Sequence, residues 1–164
     1  MNAQQPPRPP RARPADVTVG TRLPASLTAP RRAREAIRHA LAAWGAAAAV
    51  TAAAELMASE LVANAVEHGD GQPVDLYLRA WTGPGGRRGI ACAVADTSPD
   101  LPRPRQARPG SERGRGLAIV AALATDSGVT TRPGGKTAWF TLTLPEPGPG
   151  RAEPEPEAEL EAGA

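Results

Sequence analysis

Cysteine and histidine are scarce in this 164-residue sequence, and their scarcity excludes several kinds of site. The single cysteine, Cys92, cannot form an internal disulfide, and the apolar, strand-like run around it predicts a small core residue. One cysteine and two histidines are too few for a zinc-ligand cluster. No spacing of serine, histidine and acid indicates a hydrolase triad.

Long apolar runs are also lacking. The N-terminus has no apolar h-region of the kind that a secretory signal needs. No segment reaches the roughly 18–20 apolar residues of a membrane span. Residues 46–58 come closest, but they contain Glu55 and are mostly alanine. We therefore expect a cytoplasmic protein without a membrane partner.

The two ends of the chain offer little material for a core. Residues 1–16 form an arm rich in proline and arginine, and residues 145–164 form an acidic tail of proline, glutamate, glycine and alanine. Such segments bury too little apolar surface to offset the entropy of ordering, so we predict that both are disordered. The arginines of the arm have no aromatic neighbours, which favours a solvated tail over a nucleic-acid-binding segment. The predicted domain is residues 17–144.

Hydrophobic periodicity within that domain predicts the order strand, helix, helix, strand, strand, loop, helix, strand, strand. Strands and helices do not alternate strictly, as they would in a doubly wound nucleotide-binding fold. Adjacent strands instead favour an α+β fold, a two-layer α/β sandwich with helices on one face of a mixed, mostly antiparallel sheet. The predicted strands are residues 17–23, 73–81, 89–95, 130–131 and 137–144, and the predicted helices are residues 29–44, 50–68 and 116–125.

The second predicted helix carries an acid and an amide four residues apart, Glu60 and Asn64. Residues at this spacing lie on one face of a helix. A carboxylate can polarise a hydroxyl, and an amide oxygen one turn later can ligate Mg²⁺. This pattern predicts a magnesium–nucleotide corner, although the same spacing also occurs on solvated helix faces. His68 follows one turn later on the same side.

Three later segments support a nucleotide site, and the last of them, Gly135-Lys136-Thr137, starts the final predicted strand. Asp96 ends an apolar strand, where a carboxylate can accept a hydrogen bond from an exocyclic amino group. Gly114 and Gly116 open an apolar helix, whose free N–H groups suit an anion. Between them, residues 97–113 are rich in proline and arginine, which indicates either a lid or a solvated loop. No Gly-x-x-x-x-Gly-Lys-Ser/Thr motif is present, so this is not a Walker site.

These motifs, in this order over residues 17–144, resemble the GHKL (Bergerat-fold) ATP-binding domain. Within that group the chain is most similar to the anti-sigma-factor type of serine/threonine kinase. The resemblance implies ATP and Mg²⁺ as cofactors, with Glu60 as the general base and Asn64 as the Mg²⁺ ligand. It places His68 beside the phosphates, whereas the residue pattern equally allows a histidine that faces solvent at the helix end.

The resemblance also assigns residues to the two ends of the nucleotide. It implies that Asp96 and Thr137 contact adenine, and that Gly114, Arg115, Gly116 and Leu117 surround the phosphates. A solvent-exposed Arg115 is the alternative from the sequence alone. The family usually has Asp-x-Gly-x-Gly, whereas this chain has Asp96-Thr97-Ser98-Pro99-Asp100 without glycine. That departure predicts a lower affinity for ATP or a differently shaped lid.

The predicted function is an ATP-binding regulator that transfers the γ-phosphoryl group to an anti-anti-sigma antagonist protein. The resemblance implies a sigma factor as an alternative partner and a homodimer as the usual form, with no direct contact to nucleic acid. The competing hypothesis is a non-catalytic ATP-binding module that switches protein partners without phosphoryl transfer. A histidine-kinase catalytic fragment is a third hypothesis, which we rank lower because no phosphoacceptor helix pair precedes residue 17 in this sequence.

Overall fold

A computed structural model describes residues 16–98 and 116–144 of the chain. These residues form five strands and three α-helices in the order β1, α1, α2, β2, β3, α3, β4, β5. The strands are β1 (Val17–Leu23), β2 (Val74–Thr82), β3 (Arg88–Asp96), β4 (Asp126–Arg132) and β5 (Gly135–Leu144). The helices are α1 (Ala29–Ala43), α2 (Ala48–His68) and α3 (Gly116–Leu123). A short 3₁₀ turn, Pro84–Gly86, joins β2 to β3.

The five strands form one sheet in the order β1-β2-β3-β5-β4, and every neighbouring pair is antiparallel. The predicted α+β class and the helices on one face of the sheet are confirmed, and the described sheet is antiparallel throughout. β1 is an edge strand and β3 lies at the centre, as their alternating and uniformly apolar patterns predict.

The core lies between the helices and one face of the sheet. Inward-facing residues of the central strands, Leu76, Leu78, Ile90, Cys92 and Phe140, are almost fully buried. They meet apolar side chains of α1 and α2, such as Ile37, Leu41, Met57 and Val62. Cys92 is 1% exposed, so the prediction that it is a core residue is confirmed. Burial raises the pKa of its thiol to about 12.

Two polar contacts hold α1 in place. Arg38 of α1 donates to both carboxylate oxygens of Glu55 on α2, at 2.9 and 2.8 Å. Arg88, at the start of β3, donates to the Trp44 carbonyl oxygen at 3.0 Å, and its guanidinium carbon lies 4.0 Å from the centre of the Trp44 ring. The paired Arg38–Glu55 contact aligns the two helices, and the Arg88 contacts tie the end of α1 to the sheet.

By length and composition, α2 is apolar enough to cross a membrane. Its apolar residues are used differently here: Ala54, Met57, Ala58, Leu61, Val62 and Ala65 are buried in the core. A long core helix passes the same test of length and hydropathy. The position of α2 in the fold therefore gives no support to a membrane-spanning role.

The largest difference from the predicted elements is in β4. The sequence pattern indicates a strand at residues 130–131 alone, whereas β4 begins at Asp126. Asp126, Ser127 and Gly128 have weak strand propensity, but they pair with Thr141, Phe140 and Trp139. A Cβ at Gly128 would lie 2.9 Å from the Trp139 ring, so glycine leaves room for that ring. Tertiary pairing therefore extends the strand beyond its local pattern.

Candidate functional site

The carboxylate of Glu60 lies directly against the N-terminus of α3. Glu60 is half-buried on α2, and Gly116 is the buried first residue of α3. A Cβ added at Gly116 would clash with Glu60 Oε2 and would lie 3.3 Å from Glu60 Cβ. Only a residue without a side chain allows α3 to begin this close to α2. The contact brings together the acid and one of the glycines that the sequence marks.

Asn64 and His68 continue along α2 from Glu60. Asn64 is half-buried, and it forms no hydrogen bond with the residues that the structure describes. Its amide oxygen is therefore available to a ligand from outside that part of the chain. His68 is the last residue of α2 and is exposed. The structure thus places His68 at the exposed end of α2.

Asp96 ends β3 close to the end of α2. A Cβ at Gly69, just after α2, would lie 3.9 Å from Asp96 Cβ. Asp96 Oδ1 accepts a hydrogen bond from the Ser98 backbone N–H at 2.8 Å, which turns the chain out of the strand. Asp96 is only 3% exposed, so its carboxylate is held in a largely dry position.

A lysine is the partner of this buried carboxylate. Lys136 Nζ donates to Asp96 Oδ1 at 3.0 Å, and the Lys136 side chain is 5% exposed. The two residues stand directly opposite each other in the pairing of β3 with β5. Both bonds to the Asp96 side chain fall on Oδ1, and Oδ2 accepts none from the described residues. Sequence reasoning missed Lys136, although it is the only lysine in the chain.

The structure does not bring Thr137 to Asp96. Thr137 pairs with Ala95 on β3 and with Thr130 on β4. Successive residues of a strand point to opposite faces, so Thr137 points away from the face that carries Asp96 and Lys136. The position beside Asp96 that the resemblance implies for a threonine belongs to Lys136 in this chain.

Gly135 lets the start of β5 lie against the end of β3. A Cβ at Gly135 would clash with the Asp96 carbonyl oxygen and would lie 3.0 Å from Thr97 Cα. Any side chain at this position would force a shift of β5 or of the end of β3, the strands that carry Lys136 and Asp96. The glycine therefore positions the ion pair, a role that the sequence motif alone did not suggest.

Of the remaining predicted site residues, the structure describes Leu117, the second residue of α3. Leu117 is half-buried and packs against the core, so its side chain supports α3. Gly114 and Arg115 lie outside the described residues, as does most of the predicted lid, residues 97–113. The arm and the acidic tail are outside them too, apart from residue 16.

The donors and acceptors among the described candidate residues are of the kinds that a magnesium nucleotide needs. Asp96 offers a buried acceptor, Asn64 offers an amide oxygen, and the N-terminus of α3 offers backbone N–H groups. Among the described residues there is no group of three or more histidine, cysteine or acidic side chains that could enclose a metal. Mg²⁺ does not need one, because it commonly takes one or two protein oxygens and completes its shell with water and phosphate.

Comparison with known proteins agrees with this geometry. The profile of the histidine kinase-like ATPase domain matches residues 23–142. Thirteen solved chains match, among them a crystal structure of the RsbU and RsbW domains of Rv1364c from Mycobacterium tuberculosis. That match has 27% identity and a TM-score of 0.56, and it covers 79% of this chain and 33% of the solved chain. No curated protein matches the sequence.

The family match extends from the end of β1 into β5, so it includes all three helices and every described candidate residue. The chain spans about a third of the length of the solved Mycobacterium tuberculosis chain, so the likeness concerns one domain of that protein. The match covers well over half of the sequence and agrees with the resemblance to the GHKL ATP-binding domain. This protein belongs to the histidine kinase-like ATPase family.

Proposed function

We propose that the domain of residues 17–144 is an ATP-binding regulator of the anti-sigma-factor type, which phosphorylates serine or threonine on an antagonist protein. The observation that carries the proposal is the contact between Glu60 and Gly116. It holds an acid at a helix N-terminus, where an anionic phosphate would be stabilised by free N–H groups and the helix dipole. A base beside a phosphate position is what phosphoryl transfer to a hydroxyl requires.

Each end of the nucleotide has its own residues in this proposal. Asp96 accepts a hydrogen bond from the adenine amino group, and Lys136 takes the position that the resemblance gives to Thr137. Gly114, Arg115 and Gly116 hold the phosphates, with Leu117 supporting the helix behind them and His68 at the rim. Asn64 supplies an oxygen to Mg²⁺, which neutralises phosphate charge when it is bound.

In the proposed reaction Glu60 acts as the general base. The hydroxyl oxygen of the acceptor serine or threonine forms a bond to the γ-phosphorus, and the bond from that phosphorus to the β–γ bridging oxygen breaks. ADP leaves with the bridging oxygen, and the hydroxyl proton passes to the Glu60 carboxylate. Because the transition state is loose, positioning and charge stabilisation supply most of the rate, and the base adds to them.

The partners follow from the family resemblance and from the RsbW domain of the similar structure. We propose an anti-anti-sigma protein as the phosphate acceptor and a sigma factor as the competing partner. A homodimer acting in the cytoplasm is the form that such a regulator would take.

A non-catalytic ATP-binding module is the second candidate, and the segment after Asp96 favours it. Ser98 and Asp100 stand where glycines are usual, and Ser98 is buried at 2% exposure with its backbone N–H donating to Asp96 Oδ1. Such a turn has less freedom to move around a ribose than a glycine turn has. The presence of both Glu60 and Asn64 favours catalysis, because a binder needs no base.

Two variants separate the candidates. Glu60→Gln keeps the size of the α2 side chain that lies against the start of α3. The variant should therefore retain ATP binding and partner binding. Loss of a positioned base should reduce phosphoryl transfer about 10²–10⁴-fold. Asn64→Ala should instead weaken Mg²⁺-dependent ATP binding together with transfer. The measurements are calorimetry with ATP, with and without Mg²⁺, and ³²P transfer to the protein that the chain captures from its native lysate.

Each result has a definite meaning. Equal transfer by wild type and Glu60→Gln would show that Glu60 is not the base. ATP-dependent partner binding by wild type without any transfer would establish the module. Absence of ATP binding by wild type at millimolar nucleotide would contradict both candidates.

A further inference from the structure

The buried Asp96–Lys136 pair offers hydrogen-bonding groups that have no role in the proposed phosphoryl transfer. Lys136 Nζ and the Ser98 backbone N–H both bond to Asp96 Oδ1. The pair thus presents one acceptor, Asp96 Oδ2, beside one donor, the remaining N–H groups of the Lys136 ammonium. Among the described residues, no other group bonds to this acceptor or to these N–H groups. This arrangement points to a ligand that offers the complementary pair.

Stability alone does not account for the pair. Removing two charges from water costs about as much as their attraction returns, and an apolar pair of similar volume is often as stable. The neighbouring cross-strand pairs on the same face, Val94 with Ala138 and Cys92 with Phe140, are apolar. An apolar pair at the end of β3 would continue the core pattern.

The choice of lysine is also specific. Eighteen of the 19 basic residues are arginines, since Lys136 is the only lysine. Arginine presents a wide planar fork, whereas lysine presents a compact charge with rotatable donors. Gly135, the residue before Lys136, brings β5 into close backbone contact with Asp96 and Thr97. A chain otherwise built with arginine uses lysine at this buried position.

We propose that Lys136 reads the purine base together with Asp96. Lys136 donates a hydrogen bond to N1 of adenine, and Asp96 Oδ2 accepts one from the 6-amino group. The inference rests on the proposed ATP site and adds a specificity residue to it. Adenine presents a donor at position 6 and an acceptor at position 1, which matches this order. Hypoxanthine and guanine present an acceptor at position 6 and a donor at position 1, so they oppose both groups.

Ligands that differ by single atoms test the proposal on the wild-type protein. Calorimetry would compare ATP with 1-deaza-ATP, which lacks the N1 acceptor but keeps the amino group. Loss of a hydrogen bond to a charged donor should weaken binding about tenfold or more. ITP, which reverses both groups, should bind more weakly than 1-deaza-ATP. If ATP and 1-deaza-ATP bind equally well, Lys136 does not contact N1 and the inference is overturned.

Two substitutions then assign the effect to Lys136. Lys136→Met should weaken the binding of ATP about tenfold more than that of 1-deaza-ATP, because ATP alone loses the contact at N1. Lys136→Gln keeps a donor for both Asp96 and N1, so it should restore most of the preference for ATP. A purely structural lysine would instead lower the affinity for both nucleotides by the same factor, and that result would refute the proposal.

Folding and the proposed function have separate controls. Near-ultraviolet circular dichroism, which reports on Trp139 in the same strand, would show whether each variant is folded. If Lys136→Met does not fold, the affinities of wild type and of Lys136→Gln for ATP and 1-deaza-ATP still test whether Lys136 contacts N1. Wild-type binding of ATP with no difference between the nucleotides contradicts the role of Lys136 alone. No binding of any nucleotide contradicts the ATP site and this inference together.

Discussion

At the residue scale, the candidate site is indicated by polar atoms that form no hydrogen bond with the described residues. Asp96 uses Oδ1 for the Ser98 backbone and for Lys136, and keeps Oδ2 clear of the described residues. Asn64 likewise forms no hydrogen bond within that part of the chain. Buried or half-buried polar atoms usually have partners, so these atoms mark where a ligand is expected.

Asp96→Asn tests the acceptor with almost no change in volume. The amide oxygen can still accept from the Ser98 N–H, but the amide nitrogen then faces the base as a donor. A donor opposite the adenine amino group should lower ATP affinity about tenfold or more. Calorimetry measures the affinity, and a urea unfolding curve checks that the domain remains folded. An unchanged affinity in a folded variant would remove Asp96 from the nucleotide site.

The buried thiol of Cys92 gives a second prediction at this scale. Its pKa is raised from 9.0 to about 12 by burial, so the folded protein keeps the proton at pH values where the unfolded chain loses it. The stabilising contribution is therefore complete below pH 9 and is lost as the pH rises toward 12. At pH 8, a thiol reagent should react only after unfolding. Rapid labelling of the native protein would contradict the burial of Cys92.

At the scale of elements, two close approaches through glycine assemble the site. Gly116 allows α3 to begin against Glu60, and Gly135 allows β5 to begin against Asp96. The Gly116 contact lies beside the proposed phosphate position, and the Gly135 contact lies beside the proposed adenine position. The helices and strands between these two contacts take no part in the proposed reaction, but they fix the distance between the phosphate and adenine positions.

Gly116→Ala should disturb the first of these contacts. The added Cβ would clash with the Glu60 carboxylate, so α3 or the Glu60 side chain must move. Overpacking of this kind typically costs about 1–3 kcal/mol. We expect a lower free energy of unfolding and weaker ATP binding, measured by urea unfolding and calorimetry.

Gly20→Ala on β1 is the matched control for this substitution. Its Cβ would lie 3.5 Å from the Tyr77 ring, an ordinary contact, and Gly20 lies on the edge strand β1, which β2 separates from β3. It should leave ATP binding unchanged. If Gly116→Ala binds ATP as well as the control does, the start of α3 is not part of the nucleotide site.

At the scale of the whole molecule, ligand binding should be visible in stability and in protease resistance. A ligand at a hundred times its dissociation constant stabilises the folded state by about 2.7 kcal/mol. Mg-ATP should therefore raise the melting temperature, and chelation of Mg²⁺ should remove most of the increase. A melting temperature unaffected by millimolar Mg-ATP would speak against the ATP site.

The predicted lid, residues 97–113, gives a further test at this scale. Its proline and arginine content predicts a segment that becomes ordered over the triphosphate. Limited proteolysis should cut this segment first, and Mg-ATP should slow the cleavage. ADP with Mg²⁺ is the control, because it lacks the γ-phosphate. Equal cleavage rates with and without Mg-ATP would show that the segment does not act as a lid.

The sequence by itself determined the order of the elements and indicated most of the candidate site residues. Periodicity predicted the order of helices and strands, because a packed face imposes a period on each element. The spacing of Glu60 and Asn64 places both on one face of α2 through helix geometry alone. Asp96 followed from its position at the end of an apolar strand.

Tertiary structure decided which distant residues meet. The pairing of β3 with β5 sets Lys136 opposite Asp96 and Thr137 opposite Ala95. A shift of one residue in register exchanges the two faces of a strand, and local sequence does not specify that register. The contact of Gly116 with Glu60 also depends on how α3 packs against α2. Long-range packing, which no local pattern encodes, thus selected lysine rather than threonine as the partner of the buried carboxylate.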